Sequence, residues 1–305
     1  MSDLEYHVND GVATLTLNNP GARNALSSTM KDEFARVLPA LAADRAVRAL
    51  ILTGANGIFS AGGDLRGMAA SRAGMTIDTW RARMREVQPW MRLLVELDKP
   101  LIAAVDGAAF GAGFSLALMA DFVLATPRAR FCLSFMKVGL VPDFAARYTL
   151  PRVVGIQRAK ELMLSAREVG ADEALRLGIA MEIVPADDLM ARANALARSF
   201  VGASPLAVSF IKRDIGMSLA TDLNTLLALE ADHQAMCFDT PYQGQAVQRF
   251  LDKKPAMFQW PASQASALAA PSLASAPAAP SLASAPAAPS SPSAPVSPSA
   301  TLTKE

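Results

Sequence analysis

Apolar residues recur with two periods along the first 260 positions, and the alternation of those periods predicts an α/β body. Val12 to Leu17 alternates, placing Ala13, Leu15 and Leu17 on one face and the threonines on the other, the pattern of a half-buried strand. Leu26, Met30, Phe34, Val37, Leu38 and Leu41 follow helical spacing. Three short aliphatic runs, 49–53, 101–105 and 122–126, read as buried strands. Between them Ile77, Trp80, Met84, Val87, Met91 and Leu94 form a helical stripe that Pro89 should kink or split. Core packing is the expected use of that stripe, with a ligand wall as the alternative. From Ile156 onward helical patterns dominate, over 171–177, 186–200, 205–220, 222–238 and 243–253.

The pattern stops near residue 260. Beyond it the chain is nearly all Ala, Pro and Ser, and Ala-Ala-Pro-Ser-Leu-Ala-Ser-Ala-Pro occurs at 269–277 and again at 278–286. Too few large apolar groups remain there to offset ordering entropy. The expected organisation is an α/β core over 1–200, a helical region over 201–260 and a disordered tail over 261–305.

Charge changes the picture by exclusion. The 29 basic and 28 acidic residues nearly cancel, so no global field recruits nucleic acid or an anionic membrane, and an anionic ligand must be held locally. The two cysteines, Cys132 and Cys237, sit among apolar neighbours and suit reduced thiols. An acidic start without a long apolar run, and no stretch of 18 apolar residues, predict a cytoplasmic protein without signal or membrane span.

Candidate chemistry lies in three glycine-bearing segments: Phe59-Ser-Ala-Gly62-Gly63-Asp64-Leu65, Gly107-Ala-Ala-Phe-Gly111-Ala112-Gly113, and Gly139-Leu-Val-Pro142-Asp143. The first two each follow a strand and lead toward a helix start, where backbone N–H groups are left unpaired. Two such donors could converge on a thioester carbonyl that becomes an enolate; close packing is the alternative for each alone. A dinucleotide site would need glycine where Leu116 stands, and no Gly-Lys-Ser/Thr phosphate loop is present. Asp143 has two readings: the N-cap of a helix starting at Phe144, or a carboxyl in an apolar cleft with its pKa raised for proton transfer.

Taken in order, Asn19-Pro20-Gly-Ala-Arg23-Asn24-Ala25-Leu26, the Ser60–Leu65 turn, Lys99-Pro100 leading to Gly107 and Gly111-Ala112-Gly113, Gly139 to Asp143, and Leu150-Pro-Arg-Val-Val-Gly155 make the chain, from residue 5 to about 258, resemble the enoyl-CoA hydratase/isomerase (crotonase) superfamily. The resemblance implies a spiral of ββα units with C-terminal helices that build a homotrimer or dimer of trimers. It implies an acyl-CoA thioester as substrate, coenzyme A being part of that substrate, with no separate cofactor and no metal. The N–H groups of Gly63 and Ala112 would be the oxyanion donors. Ser60 and Ala61 would border the adenine, Arg23 the CoA phosphates, and Lys253 or Lys254 a neighbouring subunit's CoA. Met68, Trp80, Met84, Phe110, Ser115 and Phe135 are expected around the acyl group. The two glutamates of the superfamily's hydratases correspond to Ser115 and Phe135, whereas Asp143 matches the acid/base position of its double-bond and ring-epoxide isomerases. The resemblance therefore implies an isomerase with one carboxylate. A hydratase-like enzyme of another subclass, an aryl dehalogenase and a non-catalytic CoA-ester binder are the other readings.

Overall fold

Nine strands and twelve α-helices alternate along residues 2–262, which a computed structural model of the chain describes. The strands are β1 Leu4–Asn9, β2 Val12–Leu17, β3 Ala49–Gly54, β4 Leu101–Val105, β5 Ala108–Phe110, β6 Phe122–Ala125, β7 Arg130–Cys132, β8 Val169–Gly170 and β9 Glu182–Ile183. The helices are α1 Ser28–Ala43, α2 Leu65–Ser71, α3 Ile77–Glu86, α4 Gln88–Val95, α5 Ala112–Ala117, α6 Ala146–Val154, α7 Ile156–Ser165, α8 Ala171–Arg176, α9 Leu189–Ser199, α10 Pro205–Met217, α11 Leu223–Phe238 and α12 Pro241–Leu251. The large sheet runs β1-β2-β3-β4-β6-β9 and is parallel apart from the β1–β2 hairpin. A small sheet, β5-β7-β8, stands beside it.

Strand alternation explains why the large sheet needs cover on both faces. Leu15, Leu50, Leu52 and Ala103 face α1, where Met30, Phe34, Val37, Leu38 and Leu41 lie at helical spacing in one core. Val12, Ala49, Ile51, Ile102 and Ala104 face the other way, onto Leu189, Ala193, Leu196 and Ala197 of α9. This corrects the half-buried reading of β2. Thr14 is 4% exposed and Val12 3%, because α9, 180 residues downstream, closes the face on which local alternation left threonines.

Pro89 splits the long stripe, as its missing N–H requires: α3 ends at Glu86 and α4 begins at Gln88. Only the second half is core. Val87, Met91 and Leu94 are buried with Trp90, while Ile77 is 75% exposed. Core packing therefore fails for α3, whose apolar side is left open near the cleft described below.

The described residues belong to one compact unit. Exposed apolar side chains gather on α10 to α12, including Ile211, Leu219, Leu223, Phe238 and Phe250. The disordered reading of 261–305 lies outside the described residues apart from Pro261 and Ala262. No helix among the described residues is long and apolar enough to cross a membrane.

Candidate active site

The first glycine turn is built by its backbone. Gly54 ends β3 where an added Cβ would come within 2.1 Å of the Ile58 carbonyl, so only glycine lets the chain fold back. Ser60 bridges to β5: its N–H donates to Ala108 O at 2.9 Å, and Phe110 N–H donates to Ser60 O at 2.9 Å. The segment before α1 laces the other side. Ala61 N–H donates to Arg23 O at 3.0 Å and Leu26 N–H to Gly62 O at 2.7 Å. Asn24, 1% exposed, sends its amide to Ala55 O and Ile58 O at 3.0 and 2.7 Å and accepts from Asn19 N–H at 2.9 Å. Three bonds from one buried amide make Asn24 the strut of the turn.

The strut brings the two glycine turns together. Gly62 has φ +96°, and a Cβ there would lie 2.5 Å from Phe110 O and 3.3 Å from Ala112 N. Gly63 follows it, and Ala112 opens α5. The Ala112 N–H has no intrahelical acceptor at the first position of a helix, and no described residue accepts from it or from the Gly63 N–H. Two free N–H groups on touching turns are the kind of donors that a developing oxyanion requires. Met68 stands beside them, its methyl 2.7 Å from where a Cβ on Gly63 would sit.

Asp143 is not a helix cap. Phe144 and Ala145 both adopt left-handed φ, 50° and 58°, so α6 starts only at Ala146, without a side-chain cap bond. Each such residue costs roughly 1–2 kcal/mol, and the surroundings hold the bend. The Phe144 ring meets Trp90 edge-on at 5.6 Å, and Trp90 stacks on Phe34 at 4.9 Å. The bend aims the carboxyl inward, where Oδ1 is buried without a hydrogen-bond partner. Asp64 caps α2 instead, accepting from Gly67 N–H at 2.9 Å.

Burial pushes the Asp143 carboxyl up to about 6, against the opposing pull of the Lys31 ammonium, its own backbone N–H and Arg147. Burial likewise pushes Lys31 below the usual lysine range, and Arg83 adds to the effect. A cavity of about 420 Å³ opens beside Asp143, walled by Met84, Met91, Phe144, Arg147 and Tyr148. A carboxyl with pKa raised toward neutrality and a free oxygen beside an open cavity is equipped to accept and return a proton.

A second cavity, of about 380 Å³, lies outside the first glycine turn between Arg23, Ala61, Phe110, Arg128 and Arg130. Arg128 is paired with Asp106 at 2.5 Å and Arg130 with Glu168 at 3.2 Å; among the described residues Arg23 has no ion pair. Three guanidinium groups at one opening suit an anionic ligand.

The expected site residues are thus sorted. Gly63 and Ala112 come together, Met84 and Asp143 share one cavity, and Arg23 and Ala61 share the other. Phe110 is a correction. It lines the arginine-bordered cavity and not the Asp143 one, lying under the Arg130 guanidinium at 5.8 Å, while the alternate residue Ala109 of β5 is buried. Ser60 and Ser115 are corrections as well, each 0% exposed. The Ser60 hydroxyl donates to Asn24 O at 2.7 Å and accepts from Gly62 N–H at 3.1 Å, and the Ser115 hydroxyl donates to Gly111 O at 3.2 Å, so both side chains brace backbone. Phe135 is 7% exposed, within the core, and Trp80 lies beneath Arg83 at 5.5 Å. Lys253 and Lys254 are exposed and border neither cavity, Lys254 pairing with Asp252 at 3.0 Å. Sequence reasoning missed Asn24, Arg128 and Arg130 as contributors. Asn24 had a signal, standing inside a quoted motif.

Comparison with known proteins fits this geometry. The chain is 36% identical over 258 residues to the 1,2-epoxyphenylacetyl-CoA isomerase of Escherichia coli K12, covering 85% of this chain and 98% of that protein. It is 36% identical over 244 residues to the short-chain-enoyl-CoA hydratase of Clostridium acetobutylicum, covering 80% and 92%. The crystal structure of an enoyl-CoA hydratase/isomerase from Cupriavidus metallidurans CH34 superposes with a TM-score of 0.81 at 38% identity, over 87% of this chain and 99% of that one. Paired glycine turns, a buried carboxyl at the head of α6 and the spiral of ββα units all fall within residues 7–261, the span matched by the model for enoyl-CoA hydratase/isomerase, and the chain belongs to that family, the crotonases.

Proposed function

We propose that the chain is an acyl-CoA isomerase that moves a double bond, using Asp143 as its single acid/base group. The observation that carries this reading is the Asp143 carboxyl itself, its Oδ1 buried and without a partner beside an open cavity, where burial pushes its pKa up. In the proposed reaction the thioester oxygen sits against the Gly63 and Ala112 N–H groups. Asp143 takes a proton from the carbon next to the thioester, and the electron pair moves onto the oxygen as a dienolate. The same carboxyl returns the proton further along the chain, so the double bond shifts and no proton is gained or lost. Each N–H donor contributes about 2.7–4 kcal/mol to the transition state. The CoA moiety would lie toward Arg23 and Ala61, its phosphates meeting the arginine-lined cavity.

The positions matching the hydratase glutamates carry Ser115, wholly buried, and Phe135, neither of which exchanges protons. Hydration is the second reading, favoured by the Clostridium relative's name. A panel of 2-enoyl-, 3-enoyl- and phenylacetyl-derived CoA esters separates the outcomes. Isomerisation of a 3-enoyl or ring-epoxide ester supports the proposal, hydration of 2-enoyl esters replaces it with the second reading, and binding without turnover leaves a CoA-ester binder. We further place the enzyme in the cytoplasm and read it as a homotrimer or dimer of trimers, the assembly being supported by the exposed apolar residues of α10 to α12; native mass spectrometry counts the subunits.

A further inference from the structure

The cavity that Asp143 borders is not wholly apolar. Met84, Met91 and Phe144 line it, but so do Arg147, Tyr148 and Arg152, all three from α6. Tyr148 and Arg152 stand one helical turn apart and share a face, with Arg147 next to them. Among the described residues no ion pair closes on either arginine. With Asp143 ionised, two guanidinium groups and one carboxylate border the same space, which leaves positive charge in excess.

Arg152 is held in place. Its guanidinium lies 3.5 Å over the Tyr148 ring, and Nη1 donates to Tyr148 O at 2.9 Å. The Tyr148 hydroxyl donates in turn to Gly216 O of α10 at 3.3 Å, so the plate under the guanidinium is tied to a second helix. A guanidinium fixed on a ring loses less freedom when its remaining N–H groups close on a carboxylate.

We propose that the acyl group taken by this site ends in a carboxylate bound at Arg147 and Arg152, so that the substrate is a dicarboxylic acid carried as its mono-CoA thioester. The inference rests on the reading of Asp143 as the group that meets the acyl chain. A hydrocarbon tail leaves the excess charge uncompensated and covers part of two guanidinium groups, whereas a terminal carboxylate meets them in charge-assisted N–H···O bonds. The arrangement also sets direction. The Asp143 carboxylate repels the terminal carboxylate and the arginines attract it, while Met84, Met91 and Phe144 offer apolar surface to the methylene groups. Both arginines are exposed, so the attraction is modest and weakens with salt.

The test compares two saturated esters that cannot react, hexanedioyl-CoA and hexanoyl-CoA, by isothermal titration into the full chain. Their CoA portions are identical, so the ratio of the two Kd values reports the far end of the acyl chain alone. The diacid ester should bind about tenfold more tightly at low ionic strength, with the ratio shrinking as salt is raised. In Arg147→Gln and in Arg152→Gln, each checked by circular dichroism, the ratio should fall toward one; Arg147→Gln leaves the Tyr148 stack undisturbed and serves if the other variant loses its fold. The kcat/KM ratio of 3-hexenedioyl-CoA to 3-hexenoyl-CoA should follow the same order. Equal affinity of the two saturated esters in the wild type overturns the proposal, and so does a preference that survives in both variants, because the anion is then held elsewhere. If neither unsaturated ester is isomerised while the arginine-dependent preference stands, the isomerase reading has failed and the carboxylate subsite has not. If 3-hexenoyl-CoA is isomerised and the diacid ester is neither bound more tightly nor turned over faster, only the subsite is wrong.

Discussion

Asp143→Asn replaces one carboxylate oxygen by an amide nitrogen and leaves side-chain shape almost unchanged, yet it should move stability and activity in opposite directions. Burial raises the carboxyl from 3.8 to about 6. An acid whose pKa is higher in the folded state holds its proton more tightly there, so folding is disfavoured once the pH is above about 6. The penalty disappears below about 3.8, where both states are protonated. Integrated over that window, the shift corresponds to a cost of about 3 kcal/mol at pH 7. Asn carries no charge to desolvate; about 1 kcal/mol is subtracted for hydrogen bonds its amide leaves unmade. The variant should therefore melt roughly 4–8 °C higher at pH 7, with the gain shrinking between pH 6 and 4. Asn cannot accept and return a proton, so isomerisation of a 3-enoyl-CoA should fall about a hundredfold or more. Solvent deuterium should no longer enter the carbon next to the thioester. Differential scanning calorimetry across pH and a deuterium-exchange assay by mass spectrometry read the two effects. A melting temperature unchanged or lowered at pH 7, with turnover near wild type, would refute the reasoning on both counts.

In the wild type, kcat/KM should decline as the pH falls through about 6, because the carboxylate is the active form and burial raises its pKa to that value; a limb near 4 would mean that another group limits the rate. Ala112→Pro removes a proposed oxyanion donor and should lower turnover by about 10²–10³, whereas Ala112→Gly keeps the N–H and should be mild; equal losses in two folded variants would assign Ala112 to packing. Asn24→Ala deletes three hydrogen bonds at a site 1% exposed and should cost about 2–4 kcal/mol in denaturant titrations, lowering kcat as the first turn loosens; an unaltered midpoint would remove it as a strut. Truncation after Ala262 should leave the melting temperature in place, while removal of Trp260 as well should lower it, since that ring packs on Phe122 at 5.4 Å and Phe200 at 6.0 Å; similar melting of both truncations would speak against that packing.

Much of the fold was legible because strands and helices here obey short-range periods. Strand β3 and helix α1 carry their patterns within ten or so residues, and Pro89 announced the break between α3 and α4. What was not legible depended on partners distant in sequence. The second face of β2 is buried by α9, which no window around Thr14 contains. The edge strand β1 was missed, its burial pattern showing a single buried residue, Leu4. At the site, the backbone donors could be anticipated from glycine turns following strands. The shape around Asp143 could not: two successive left-handed residues without glycine, Phe144 and Ala145, are disfavoured locally and persist through tertiary packing.

The strut at Asn24 has a consequence for how such a protein changes over time. The thioester's proposed grip consists of main-chain N–H groups, and the bonds that place them come from Asn24, Ser60 and the backbone of the first turn. None of these side chains faces the Asp143 cavity. On the proposed reading, the part that would activate the carbonyl is braced by residues other than those lining the Asp143 cavity, so exchange of cavity residues such as Met84 or Arg147 should leave the donor turns in place. A laboratory search for new chemistry on this scaffold would do best to randomise the cavity wall and leave the 19–26 segment untouched.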